Sequence, residues 1–170
     1  MATSGTSTFR PEIDEIVTEA CERCGLDPTL IDRKVAVSAR RSLNLMFSEW
    51  SVRGVNYWCT AETTLSLTAS TRNYSLPVGT IDVLTAVLRR DGNDTLLTRL
   101  SMTDYNAQVN KTSEGKTSQY FFDRQYTPQI YLWPVPENST DTIIYWGLTQ
   151  LEDATASYQD TDVPYRWTEA

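Results

Sequence analysis

The stretch DRKVAVSARRSLNLMFSEWSVRG, residues 32–54, carries the clearest helical period in the chain. Val35, Ala39, Ser42, Leu43, Met46, Phe47 and Trp50 recur at spacings of three and four, which sets them on one face of a helix. Asp32 supplies an N-cap acceptor. Arg53 and Gly54 supply a cation at the carbonyl end and then a residue that turns left-handed without steric cost. At ~1.5 Å per residue the segment is a rod of roughly 30 Å. A polar residue face containing Arg40 and Arg41 looks to solvent.

Upstream, residues 11–24 predict a second helix. Pro11 suits a first turn, Gly25 ends it, and Ile13, Ile16, Val17, Ala20 and Cys24 form its apolar stripe. The link LDPTLI has a length suited to antiparallel helices. Downstream of Gly54 the period changes to two. TLSLTAS and RNYSLPVG alternate around a tight polar turn at Ala69–Arg72. IDVLTAVLRRDGNDTLLTRL reads as a long hairpin about Asp91-Gly92, flanked by the alternating Leu84, Ala86 and Leu88 before the turn and by Leu96 or Leu97 and Leu100 after it. Ser101 to Asp104 resembles a capping box and predicts a short helix to Gln108. NKTSEGKTS reads as an open polar loop, and SQYFFDRQ, QIYLWP and DTIIYWGL as three further strands.

The expected fold class is therefore α+β: an N-terminal antiparallel helical hairpin, part of a helical bundle, with an antiparallel β-rich domain attached. The expected organisation is a flexible arm over 1–10, the helical hairpin over 11–56, the β domain over 57–150 and an extended tail over 151–170. The tail is polar until Val163-Pro164, where PYRWTEA reads as the start of a further helix. That start predicts a longer protein whose next segment packs on the two helices. It also predicts that Met46, Phe47 and Trp50 are less covered than in a complete bundle.

Composition narrows the function. A length of 170 residues, 40% hydrophobic, with five Trp, nine Tyr and four Phe, suffices for a packed core. The formal charge of −7 argues against gripping nucleic acid, which needs clustered cations, and is compatible with letting DNA slide past. No apolar run approaches a membrane span, and the N-terminus lacks the pattern of a secretory signal. Histidine is absent, so Ser-His-Asp and Cys-His sites are excluded. Cys21 and Cys24 form a lone CxxC with only Cys59 besides, so no four-ligand metal site is read, and free thiols in a reducing cytosol fit better. No glycine loop marks a cofactor. The reading is not an enzyme, with no catalytic residue, cofactor or metal. Tyr120, Phe121, Phe122, Tyr126, Tyr131, Trp133, Tyr145 and Trp146 crowd the last strands and raise an alternative, a tail-associated carbohydrate- or ligand-binding β module. Adjacent aromatics point to opposite faces, so half of them belong to a core.

In order, FRPEIDEIVTEACERCGLDP, ARRSLNLMFSEWSVRGVNYW, the TLSLTAS to LSMTDY block and YFFDRQYTPQIYLWPVPENSTDTIIYW resemble the head-to-tail adaptors of tailed bacteriophages, the neck or tail tubular protein A-like connectors. RRSLN…EW…RG and YxLP…DVL are the distinctive parts, and the resemblance runs from Phe9 to Ala170. It implies a structural virion protein of the neck, assembled in the host cytoplasm. Such a protein forms a homo-oligomeric ring, typically dodecameric, between the portal protein and the tail tube or nozzle protein. DNA passes through the ring during ejection without specific binding, and no membrane is involved. On this reading Glu12, Glu15, Glu19 and Glu22 line the channel. The exposed tips Arg90, Asp91, Gly92, Asn93 and Asp94, with Lys111, Glu114 and Lys116, are the expected partner contacts.

Overall fold

The computed structural model describes residues 10–27, 29, 31–156 and 158–164. The expected arm, apart from Arg10, and the expected helix start, apart from Pro164, lie outside them. The fold is mixed α and β, and the chain divides into two compact units. One is Met1–Trp58 with Leu151–Ala170; the other is Cys59–Gln150.

In the first unit, α1 (Ile13–Arg23) buries Ile13, Val17 and Cys21, spaced by four. Glu15 accepts from the Glu12 backbone N–H at 3.1 Å, the returning half of a capping box. In α2 (Arg33–Arg53), Asp32 accepts from the Val35 N–H at 2.9 Å, and Gly54 closes the helix at φ 69°. Both ends agree with the residues that mark them.

The packed face of α2 does not coincide with its apolar stripe. Phe47 is 4% exposed, but Met46 is 37% exposed and Ser42 also faces solvent, while Trp50 is half-buried. The face is turned toward Asn44 and Ser51, because an extended segment, residues 151–156, lies along that side. Asn44 makes a reciprocal pair with one residue: the Ala154 N–H donates to its Oδ1 at 2.8 Å and its Nδ2 donates to the Ala154 carbonyl at 3.3 Å. Leu151 N–H donates to Ser51 Oγ at 3.4 Å, and Arg40 Nη1 to the Thr155 carbonyl at 2.8 Å. Farther on, the Ile13 N–H donates to the Gln159 carbonyl, and Glu12 forms an antiparallel bridge with Asp160. Leu151, Ala154 and Val163 are buried.

The second unit is a sandwich. Its strands are β1 (Thr60–Ser66), β2 (Asn73–Ser75), β3 (Thr80–Arg90), β4 (Asn93–Leu96), β5 (Thr98–Arg99), β6 (Glu114–Gly115), β7 (Gln119–Asp123), β8 (Gln129–Trp133), β9 (Val135–Pro136) and β10 (Thr142–Thr149), with α3 (Met102–Ala107) after β5. One sheet runs β1-β10-β3-β4 and the other β2-β8-β7-β5. Their inner faces share one core that includes Val83, Leu88, Ile143, Tyr145, Tyr120, Phe122, Ile130 and Leu132. Pairing is antiparallel except for two short parallel pairs, β5 with β7 and β6 with β9, so the expected wholly antiparallel domain is amended there.

The expected turn at Ala69–Arg72 is present, with the Thr71 N–H donating to the Thr68 carbonyl at 3.2 Å, and it carries the chain between sheets, since β1 pairs with β10 and β2 with β8. Tyr74 fixes the crossing: its hydroxyl accepts from the Thr68 N–H at 2.9 Å and donates to the Thr68 carbonyl at 3.0 Å. Leu84 faces out, 51% exposed, because the β3–β10 register shifts between Trp146 and Gly147. Trp146 faces Thr85 and Gly147 faces Val83, so Leu84 is the extra residue of a bulge and the inward set becomes Val83, Ala86 and Leu88. NKTSEGKTS is pinned, not open: β6 pairs with β9, and Trp133 Nε1 donates to the Asn110 carbonyl at 3.0 Å.

Asp82 on β3 ties the sheets together at one edge. It accepts from Arg99 of β5 at 2.7 Å and from Arg124 at 3.0 Å. Burial works to raise its pKa, but hydrogen bonding and charge from Arg99, then the charge of Arg124, hold it below the usual carboxylate range.

Two outcomes follow from these contacts. Asn44→Ala leaves the Ala154 N–H and carbonyl without their partner and is expected to cost about 1–3 kcal/mol. Hydrogen exchange at the Ala154 amide should rise in step, and unchanged exchange there would contradict the pairing. A depressed folded pKa gives stability that is present above the unfolded value of about 3.9 and is lost as pH falls through the folded value. The stability gap between wild type and Asp82→Asn, followed by urea unfolding, should therefore be flat near neutrality and shrink below pH ~4. A gap that widens in acid would refute the ion pair.

Candidate partner interface

The β3–β4 hairpin is built by its turn. Asp91 and Gly92 hold φ of 52° and 78°, the two positive values that a two-residue type I′ connection requires, and Arg90 faces Asn93 in register. Asp91, Gly92, Asn93 and Asp94 are exposed. Arg89 grips Asp94 through two hydrogen bonds of 2.7 Å, which lower the Asp94 pKa.

Arg90 points into the unit. It makes three hydrogen bonds to Asp141, the shortest 2.7 Å, and one of 2.8 Å to Glu137. The Asp141 side chain is only 2% exposed. Hydrogen bonding to Asp141, then to Glu137, raises the Arg90 pKa further above its ordinary value. The remaining expected contact residues are brought to the same hairpin in part. Lys116 Nζ donates to Thr95 Oγ1 of β4 at 3.2 Å, and Glu114 accepts from Ser70 Oγ at 2.6 Å. Lys111 lies 5.4 Å from the Tyr105 ring centroid, a cation–π geometry. Thus the hairpin, the 111–116 segment and the 137–141 turn form one linked rim, with Asp91, Gly92 and Asn93 at its tip.

Most of the aromatics are structural. Tyr120, Phe122 and Tyr145 belong to the core. Phe121 and Tyr131 pack against Tyr105 of α3, with centroids 5.3 and 5.6 Å away. Trp146, 44% exposed on β10, and Tyr126, 89% exposed in the β7–β8 connection, stand on different sheets and do not compose a stacking platform.

In the helical unit, Glu12, Glu15, Glu19 and Glu22 are all exposed and, at spacings of three, four and three, share one stripe. Glu15 is partly engaged as the capping acceptor, and Glu19 accepts from Arg23 at 2.8 Å. Two clefts flank the extended segment of this unit. One, about 390 Å³, is lined by Val37, Arg40, Arg41, Asn44, Leu45, Ala154 and Thr155. The other, about 140 Å³, opens among Glu152, Asp153, Asp160 and Asp162 above Ile13 and Phe47. Among the described residues no three Asp, Glu or Cys converge as metal ligands. The packing of residues 151–156 on α2 leaves one signal in the sequence: two polar residues seven apart, Asn44 and Ser51, on the helix flank that packs.

The family described as SU10 adaptor protein matches residues 12–170 of the chain. No individual curated protein matches it.

The Arg90 contacts make a further expectation. Arg90→Met leaves a buried carboxylate uncompensated and is expected to destabilise the protein by about 3–5 kcal/mol, with Arg90→Met/Asp141→Asn recovering most of the loss. Chemical denaturation of the single and double variants measures both. A loss under about 1 kcal/mol for the single change would show the pair to be dispensable.

Proposed function

The chain belongs to the SU10 adaptor protein family, structural head-to-tail adaptors of phages, and from that premise we propose that it forms a ring joining the portal protein to the tail. The family match across residues 12–170 carries this reading. The ring is homo-oligomeric, dodecameric by resemblance, sits in the neck of the virion and assembles in the host cytoplasm. Its work is structural: it holds two partners and leaves a channel open, and no bond of a substrate is made or broken.

Two arrangements support a channel-and-rim division of labour. Glu12, Glu15, Glu19 and Glu22 present carboxylates along one line of α1, a surface that repels phosphates and so keeps DNA sliding. The hairpin tip, Asp91 to Asn93, stands on a rim braced by Arg90–Asp141 and Lys116–Thr95, a rigid mount for a contact with the portal or the tail protein. The α1–α2 pair exposes Leu45 and Val52, apolar area that a neighbouring copy would cover in such a ring.

Negative-stain imaging of the purified chain mixed with the portal of the same phage is the direct test. Rings seated on the portal are expected; free monomers beside bare portals would overturn the reading. Replacing Glu12, Glu15, Glu19 and Glu22 by Lys should leave the ring intact and slow DNA ejection several-fold, measured by dye release from triggered virions. Unaltered ejection kinetics would remove these residues from the channel.

A further inference from the structure

Lys34, Arg41, Leu45 and Val52 fall at spacings of seven, four and seven, one stripe on the outward side of α2. Neither Lys34 nor Arg41 has an acceptor among the described residues, whereas Arg40 beside them is held by Thr155. Leu45 is 66% exposed and Val52 86%. This stripe borders the groove lined by Val37, Arg41, Leu45 and Thr155. It is cationic at one end and apolar along the rest.

The segment on the far side of that groove has the complementary chemistry. Glu152 and Asp153 are exposed and have no cationic partner among the described residues. Tyr158 in the same segment is 78% exposed. Asp160 and Asp162 add to the acidic lip. In a chain of net charge −7, two unpaired cations beside exposed leucine and valine are an uncommon resource.

We infer that the groove beside α2 receives the acidic segment 152–162 of a second copy of this chain. Glu152 and Asp153 of the incoming copy meet Arg41 and Lys34, and its Tyr158 covers Val37 and Leu45. The inference rests on the ring reading above and deepens it. The two surfaces differ and belong to the same unit, so the contact is heterologous: each copy offers a groove to one neighbour and a lip to the other, which closes a ring when the rotation allows. Charge sets the register of such a contact, and the apolar residues supply most of its area.

The test uses the full chain in sedimentation velocity over a concentration series, alone and with the portal of the same phage. Arg41→Glu and Asp153→Arg each lie at exposed positions and should leave the thermal melt unchanged. Each single variant is expected to raise the concentration for half-assembly at least tenfold, and high salt should weaken wild-type assembly in the same direction. Arg41→Glu/Asp153→Arg in one chain should restore rings through the exchanged pair. An equimolar mixture of the two single variants should likewise assemble, in alternating copies, because each copy makes the native pair with one neighbour and the exchanged pair with the other. If Arg41→Glu assembles as wild type does, the ring reading stands and this contact is overturned. It is likewise overturned if Glu19→Arg/Glu22→Arg, and not Asp153→Arg, rescues Arg41→Glu, since the occupant is then α1. If wild type stays monomeric alone and with the portal, the ring reading falls and takes this contact with it.

Discussion

The helical unit depends on an extended backbone finding its hydrogen bonds. Residues 151–160 contribute few apolar side chains, so their amides and carbonyls must be satisfied if they are to pack at all. Asn44 answers both polar groups of Ala154, Ser51 receives Leu151, Arg40 reaches Thr155 and the first turn of α1 receives Gln159. Two helices that each bury one narrow line of side chains leave much of their length uncovered. The segment supplies the missing layer, and Phe47 becomes buried although Met46 one position away does not.

The β unit solves a different problem, how to keep two small sheets in register. Bulges in the β3–β10 pair reset which side chains face inward, and Asp82 clamps β3 to β5 through Arg99. At another edge Arg90 reaches the buried Asp141 carboxylate, so a hairpin with an exposed tip has a fixed base.

Local signals were read correctly wherever local chemistry decides. Asp32 and Gly54 bound α2, Ser101 caps α3 by accepting from the Asp104 N–H at 3.1 Å, and Asp91-Gly92 turns the hairpin. The rule that adjacent aromatics face opposite ways holds in β7, where Tyr120 and Phe122 are core and Phe121 lies on the other face, and β8 alternates in the same way with Ile130 and Leu132 buried. The misses share a cause, since each was decided by a distant partner. Leu84 obeys alternation in its own strand and is expelled by a register shift against β10. Asn44 looks like a solvent residue until residue 154 arrives. NKTSEGKTS has loop composition, yet a parallel pairing with Val135 and Pro136 holds it. The same holds for the candidate site residues: a stripe of Glu on α1 is visible as spacing, but the pairing of Arg90 with Asp141 spans fifty-one positions and leaves no local trace.

The β unit is an insertion within the helical one, and this has a kinetic side. The chain leaves the helices after Trp58 and returns at Leu151. Strands β1 and β10 bring those two points together, with Thr60 opposite Leu148 and Thr149 Oγ1 donating to the Cys59 carbonyl at 3.1 Å. For a disordered loop of about 90 residues, closure alone costs roughly 4 kcal/mol. Once the sandwich has formed, that entropy is already spent, and the last segment reaches α2 as a near neighbour. The connectivity thereby favours the sandwich closing before the segment after Leu151 packs on α2.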